Sequence, residues 1–97
     1  YSAGGLGSWY FASRNPDMLS ACIPMASIPK QGWMADWSLE DTYVIHGEQD
    51  ELFPLDSLKE RLNTAQDYGI ECMIIESATH YDGSRYIEPL AEVFRKL

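Results

Sequence analysis

Three side chains in this sequence have the chemistry for acyl transfer: Ser2, Asp50 and His80. A serine hydroxyl is a poor nucleophile until a base removes its proton, and imidazole is the side chain that titrates nearest neutrality. His80 fits that base. A carboxylate held against the other ring nitrogen fixes the tautomer and stabilises the imidazolium, a role that suits Asp50. Ser2 opens the stretch S-A-G-G, the back half of a G-x-S-x-G nucleophile elbow whose first glycine would precede Tyr1. In such an elbow Gly4 and Gly5 let a strained turn pass close to its neighbours, and the backbone N–H of Ala3 faces the oxyanion.

Each of these residues has a plainer reading or a rival. Ser2 could be an ordinary helix N-cap, a position serine favours. Asp50 competes with Glu48, Glu51 and Asp56, although Asp56 is better explained as a cap of the helix that follows it. His46, at the end of an apolar run, competes with His80 as base; its plainer role is a buried, hydrogen-bonded histidine supporting the acid loop. A metal site built from His46, His80, Glu48 and Asp50 lacks close ligand spacing. Trp33, Met34 and Trp37 fit either an acyl pocket or core packing.

The elements that must position these groups alternate between helix and strand. Residues 5–14 carry Leu6, Trp9, Tyr10 and Ser13 at helical spacing, and Asn15-Pro16 stops them. An apolar run with small residues, 20–27, reads as a buried strand despite Pro24. Residues 29–40 have no clean period and read as a loop or short helix. DTYVIHG (41–47) is a second buried strand. Leu55, Leu58, Leu62 and Ala65 then mark a helix over 55–68, stopped by Gly69. IECMIIES (70–77) is a third strand, and Ile87, Leu90, Val93, Phe94 and Leu97 mark a last helix that begins near Glu88, since Pro89 suits a first turn. Unbroken apolar strands alternating with amphipathic helices predict an α/β fold, a parallel sheet with helices on both faces. Ser2, Asp50 and His80 each fall at the carboxyl end of a strand, where such sheets gather their functional groups.

Composition sets the outer limits. Of 97 residues, 45% are hydrophobic and 12% aromatic, which predicts ordered packing rather than disorder. Seven Lys plus Arg against fifteen Asp plus Glu give a net charge of −8, which disfavours the phosphate neutralisation that nucleic-acid binding requires. No apolar run reaches membrane-spanning length. Cys22 and Cys72 lie in apolar runs and read as buried free thiols rather than a disulfide. The length is short for a complete parallel-sheet enzyme, so residues 1–97 are expected to be part of one larger domain. Alone they are expected to be unstable and inactive, because the edge beside Ser2 would be uncovered.

Taken together, YSAGG, HGEQDELFP and ATHYD resemble the second half of an α/β-hydrolase. The likeness is to serine esterases of the carboxylesterase, phospholipase and feruloyl-esterase kind, in which G-x-S-x-G-G, H-G-x-x-D-x-x-x-P and a late histidine recur. The chain order of serine, acid and histidine is also that of this fold. The resemblance covers nearly the whole chain and implies the α/β-hydrolase fold, C-terminal half. It implies Ser2 as nucleophile, Asp50 as acid, His80 as base and the Ala3 N–H as one oxyanion donor. It further implies a small-molecule ester as substrate and no cofactor or metal. Three features depart from the pattern: the first elbow glycine and the loop carrying the second oxyanion N–H are not in the sequence, and residues 30–39 match no substrate lid.

Overall fold

The computed structural model describes residues 1–35, 37–62 and 70–97. They form a small α/β protein in the order α1 (Ala3–Arg14), β1 (Tyr43–Gly47), α2 (Leu55–Leu62), β2 (Glu71–Ile75) and α3 (Ile87–Lys96), with 3-10 turns at Pro16–Met18 and Gly83–Tyr86. Among the described residues, β1 and β2 make a two-stranded parallel sheet, in register from Tyr43 opposite Glu71 to Gly47 opposite Ile75. No helix among them is long and apolar enough to cross a membrane.

The expected strand over 20–27 is present only as an extended segment joined to β1 by two isolated parallel bridges, Cys22 to Thr42 and Met25 to Ile45. Proline explains the interruption. The N–H groups of Cys22 and Ala26 donate to the carbonyls of Asp41 and Ile45, and those of Tyr43 and Ile45 donate to Cys22 and Pro24. The rung between Cys22 and Ala26 falls on Pro24, which has no N–H to give.

Alternation along β1 sorts the core into two layers. Val44 faces Trp9, Ala12, Trp37 and Leu58, the side covered by α1, α2 and the 29–40 segment. Ile45 faces Ala26, Tyr86 and Val93, the side covered by α3. Each fully buried aliphatic side chain of this kind stabilises the fold by about 1.5–3 kcal/mol. Met34, Trp37 and Leu39 join this core: all three are buried, the Trp37 ring sits edge-on to Trp9 at 5.3 Å, and its Nε1–H donates to Leu39 O and Thr42 Oγ1. Trp33 is half-buried and packs on Tyr10. None of Trp33, Met34 and Trp37 contributes to the Ser2–His80–Asp50 cluster described below.

Other expectations need adjusting. β2 is the outer strand of the pair, so Cys72 is exposed rather than buried, while Cys22 is buried as expected. Asp56 lies inside the first turn of α2, not at its cap; the amides of Ser57 and Leu58 both donate to Pro54 O. An acid there still complements the helix dipole. The expected continuation of α2 through Ala65 to Gly69 lies outside the described residues. α3 begins at Ile87, one residue before the expected start, with Pro89 in its first turn.

Candidate active site

Ser2 immediately precedes α1 and holds φ 53° and ψ −118°. A positive φ is costly for a residue with a Cβ, of order 1–3 kcal/mol, and persists only where surrounding contacts enforce it. Two such contacts are visible. The Ser2 N–H donates to Met25 O at 2.9 Å, and Gly5 lies so close to the extended segment that a Cβ there would meet Ser27 Oγ at 2.4 Å and Met25 O at 2.6 Å. Gly4 is different: a Cβ on it meets nothing within 4 Å. Only the second glycine is therefore required for close approach. The Ser2 hydroxyl makes no capping bond to α1, so the N-cap reading fails.

The hydroxyl instead meets His80, with Oγ 2.9 Å from Nε2. On the far side of the ring, Nδ1 lies 2.9 Å from Asp50 Oδ2. A carboxylate only accepts, so Nδ1 carries the ring proton and Nε2 offers its lone pair to the Ser2 O–H. Asp50 and His80 are 4% and 3% exposed, so this chain of bonds is shielded from water along most of its length. Asp50 is fixed by its own loop: Oδ1 accepts the N–H groups of Leu52 at 2.9 Å and Phe53 at 2.8 Å, which leaves Oδ2 for the imidazole. Register explains the meeting. Gly47 and Ile75 are paired at the carboxyl edge of the sheet, and Asp50 and His80 follow them by three and five residues.

Supporting contacts surround the ring. Tyr1 stacks on His80 with centroids 5.9 Å apart, and its hydroxyl donates to the His80 carbonyl. Phe53 and the exposed Tyr81 approach the same ring at 5.6 and 5.2 Å. Gly47 admits the base loop closely, since a Cβ there would lie 2.6 Å from Ala78 O, and its N–H donates to the Tyr86 hydroxyl. Burial pushes the Tyr86 phenol up to about 12, so it stays neutral. Sequence reasoning did not find the roles of Tyr86 and Gly47; the glycine after His46 was the available signal.

His46 is fully buried beneath the acid loop. Its Nε2–H donates to Phe53 O at 2.6 Å, and the ring approaches Asp50 Oδ2 only to 3.9 Å. Burial lowers its pKa below the ordinary value of 6.5. It supports the loop, as expected, and does not reach Ser2. Of the rivals to Asp50, Glu48 and Glu51 bond to main-chain N–H groups of Ser77 and His80 rather than to a ring. Among the described residues, no group of three or more His, Cys, Asp or Glu side chains could hold a metal ion.

Ala3 is the first residue of α1. Its N–H is among the four that a helix leaves without an internal acceptor, and it lies at the positive end of the helix dipole. The arrangement can therefore activate a hydroxyl, receive its proton and present a donor to a developing oxyanion beside it. No protein-family model matches the sequence, and no curated protein matches it significantly.

Proposed function

We propose that this chain is the C-terminal part of an α/β-hydrolase domain and carries the nucleophile, base and acid of a serine esterase. The observation that carries the proposal is the unbroken line of hydrogen bonds from Ser2 Oγ through the His80 ring to Asp50, with 2.9 Å at each step. The strained φ of Ser2 supports it, because a serine serving only as a cap has no need of that backbone.

In the proposed mechanism Ser2 Oγ attacks the ester carbonyl carbon while His80 Nε2 takes the hydroxyl proton. Negative charge collects on the former carbonyl oxygen, where the Ala3 N–H and the N-terminus of α1 hold it. Asp50 keeps the imidazolium oriented and compensates its charge. Collapse of the intermediate breaks the ester C–O bond, and Nε2–H gives its proton to the leaving alkoxide. Water then attacks the acyl-serine, losing its proton to the same nitrogen, and the acid is released with the Ser2 O–H restored. No step calls for a cofactor or metal.

A burst experiment on the intact protein tests this. With p-nitrophenyl acetate the expected result is rapid release of nitrophenol and an acetyl group on the Ser2 peptide. The matching anilide separates esterase from peptidase, since turnover of that amide is expected only of a peptidase. Turnover without acylation of Ser2 would overturn the proposal.

A further inference from the structure

The residue after Asp50 makes a contact that the acyl-transfer chemistry leaves unused. Glu51 is exposed, and a glutamate in an exposed loop ordinarily keeps its carboxylate in water. Here the side chain folds back, and Oε1 accepts the main-chain N–H of His80 at 2.8 Å. Consecutive acidic residues thus take hold of one histidine at two places: Asp50 at ring Nδ1 and Glu51 at the backbone. The His80 carbonyl is taken by the Tyr1 hydroxyl, so both main-chain polar groups of the base are held by side chains from other loops.

The loop that carries His80 is braced within itself by Asp82, whose Oδ2 accepts the Thr79 N–H at 2.9 Å and the Thr79 hydroxyl at 3.2 Å, but those bonds leave the His80 main chain itself to contacts from outside the loop. Residues 76–82 follow β2 without helix or strand. The loop starts with Ser77 in the left-handed region, at φ 61°. At that point it is tied to the acid loop by Ser77 N–H to Glu48 Oε1 at 2.9 Å and by Gln49 N–H to Ala78 O at 2.8 Å. Beyond Ala78, Glu51 is the side chain of the acid loop that reaches the backbone of the base.

We infer that Glu51 is a positioning residue, holding the His80 main chain so that Nε2 stays within hydrogen-bond reach of Ser2 Oγ. The inference rests on the serine-hydrolase reading. Its physical content is orientation: misplacing a base by about 1 Å costs up to roughly a hundred-fold in rate, and a charge-assisted bond to a carboxylate is a strong restraint. The effect falls on kcat, because Glu51 reaches the base and not the substrate.

Three variants of the intact protein, assayed for p-nitrophenyl acetate hydrolysis and for melting temperature, test this. Glu51→Ala is expected to lose about ten-fold in kcat, with KM changed less than about two-fold. Glu51→Asp keeps the charge but withdraws the carboxylate by one methylene, and should behave like the alanine variant. Glu51→Gln keeps an acceptor oxygen at the right reach, and should recover kcat to within about three-fold of wild type. If the alanine variant fails to fold, the contrast between Gln and Asp decides. Equal kcat in wild type and the Asp variant, or a Gln variant as impaired as Asp, overturns the role of Glu51. A wild-type protein with no ester turnover overturns the serine-hydrolase reading itself, and the inference with it.

Discussion

Replacing Gly5 by alanine is the sharpest test of how the elbow is held. The new Cβ would stand 2.4 Å from Ser27 Oγ, 2.9 Å from Ser27 Cβ and 2.6 Å from Met25 O, where ordinary contact begins at 3.4 Å. Ser27 Oγ could rotate away, but the Met25 carbonyl is main chain and already accepts the Ser2 N–H at 2.9 Å. Relief therefore requires α1 and the extended segment to separate by up to 0.8 Å, the gap between 2.6 and 3.4 Å. Ser2 begins the same helix, so its hydroxyl moves with it. A bond of 2.9 Å to His80 stretched by that amount passes out of hydrogen-bond range. Overpacking of this kind costs about 1–3 kcal/mol, and misalignment of a nucleophile costs up to roughly a hundred-fold in rate. At about 2–4 °C per kcal/mol for a domain of 150–250 residues, the loss is readable in a thermal melt of the intact protein. Gly4→Ala is the internal control: its Cβ meets nothing, and alanine in a helix is favoured over glycine by about 0.5–1 kcal/mol. Melting curves and ester turnover of the two variants should move apart. A Gly5→Ala protein as stable and active as wild type would refute the close-approach argument.

Two further outcomes follow from burial. His46 has a pKa lowered chiefly by desolvation, so the unfolded chain binds more protons than the native one below 6.5. Stability is undiminished by this group above that pH and falls as pH drops below it, by up to about 1.4 kcal/mol per pH unit. Denaturant titrations at pH 7.5 and 5.5 should show a smaller loss in His46→Gln than in wild type, and equal losses would contradict the assignment. For the cysteines, desolvation raises both thiols, that of Cys22 up to about 11, but Cys72 is exposed and Cys22 is buried, so access separates them. Iodoacetamide on the native protein should alkylate Cys72 and spare Cys22 until denaturant is added; labelling of both at similar rates would contradict the placement of Cys22.

How much of this was legible in the sequence depends on the range of the interaction. Asp50 and His80 could be named because strand ends in a parallel sheet share one edge, and their meeting follows from the register that pairs Gly47 with Ile75, whereas Ser2 is legible only from its S-A-G-G motif and is held in place by its N–H bond to Met25 O. The helices were visible in their periodicity, with α1 starting two residues earlier than expected. What periodicity does not carry is who occupies the space next door. Cys72 lies in an apolar run like that of Cys22, yet β2 is the outer strand and leaves it exposed. The stretch around Met34 and Trp37 has no period because single side chains, Met34, Trp37 and Leu39, drop into the core between exposed neighbours such as Lys30, Gln31 and Ser38. Gly4 and Gly5 look alike in sequence, and only the packing of Ser27 against α1 separates them. The reach of Glu51 to His80 spans 29 residues, and no local pattern encodes it. Pro24 was legible as a risk to its strand, and the ladder is indeed broken there.

The central claim is that Ser2 is an activated nucleophile. The most direct measurement exposes the intact, folded protein to a fluorophosphonate probe and locates the label by mass spectrometry, beside a His80→Ala variant. The account predicts phosphonylation of the Ser2 peptide in the wild type and its loss in the variant. A folded wild-type protein that takes no label, or takes it on another serine, would contradict it.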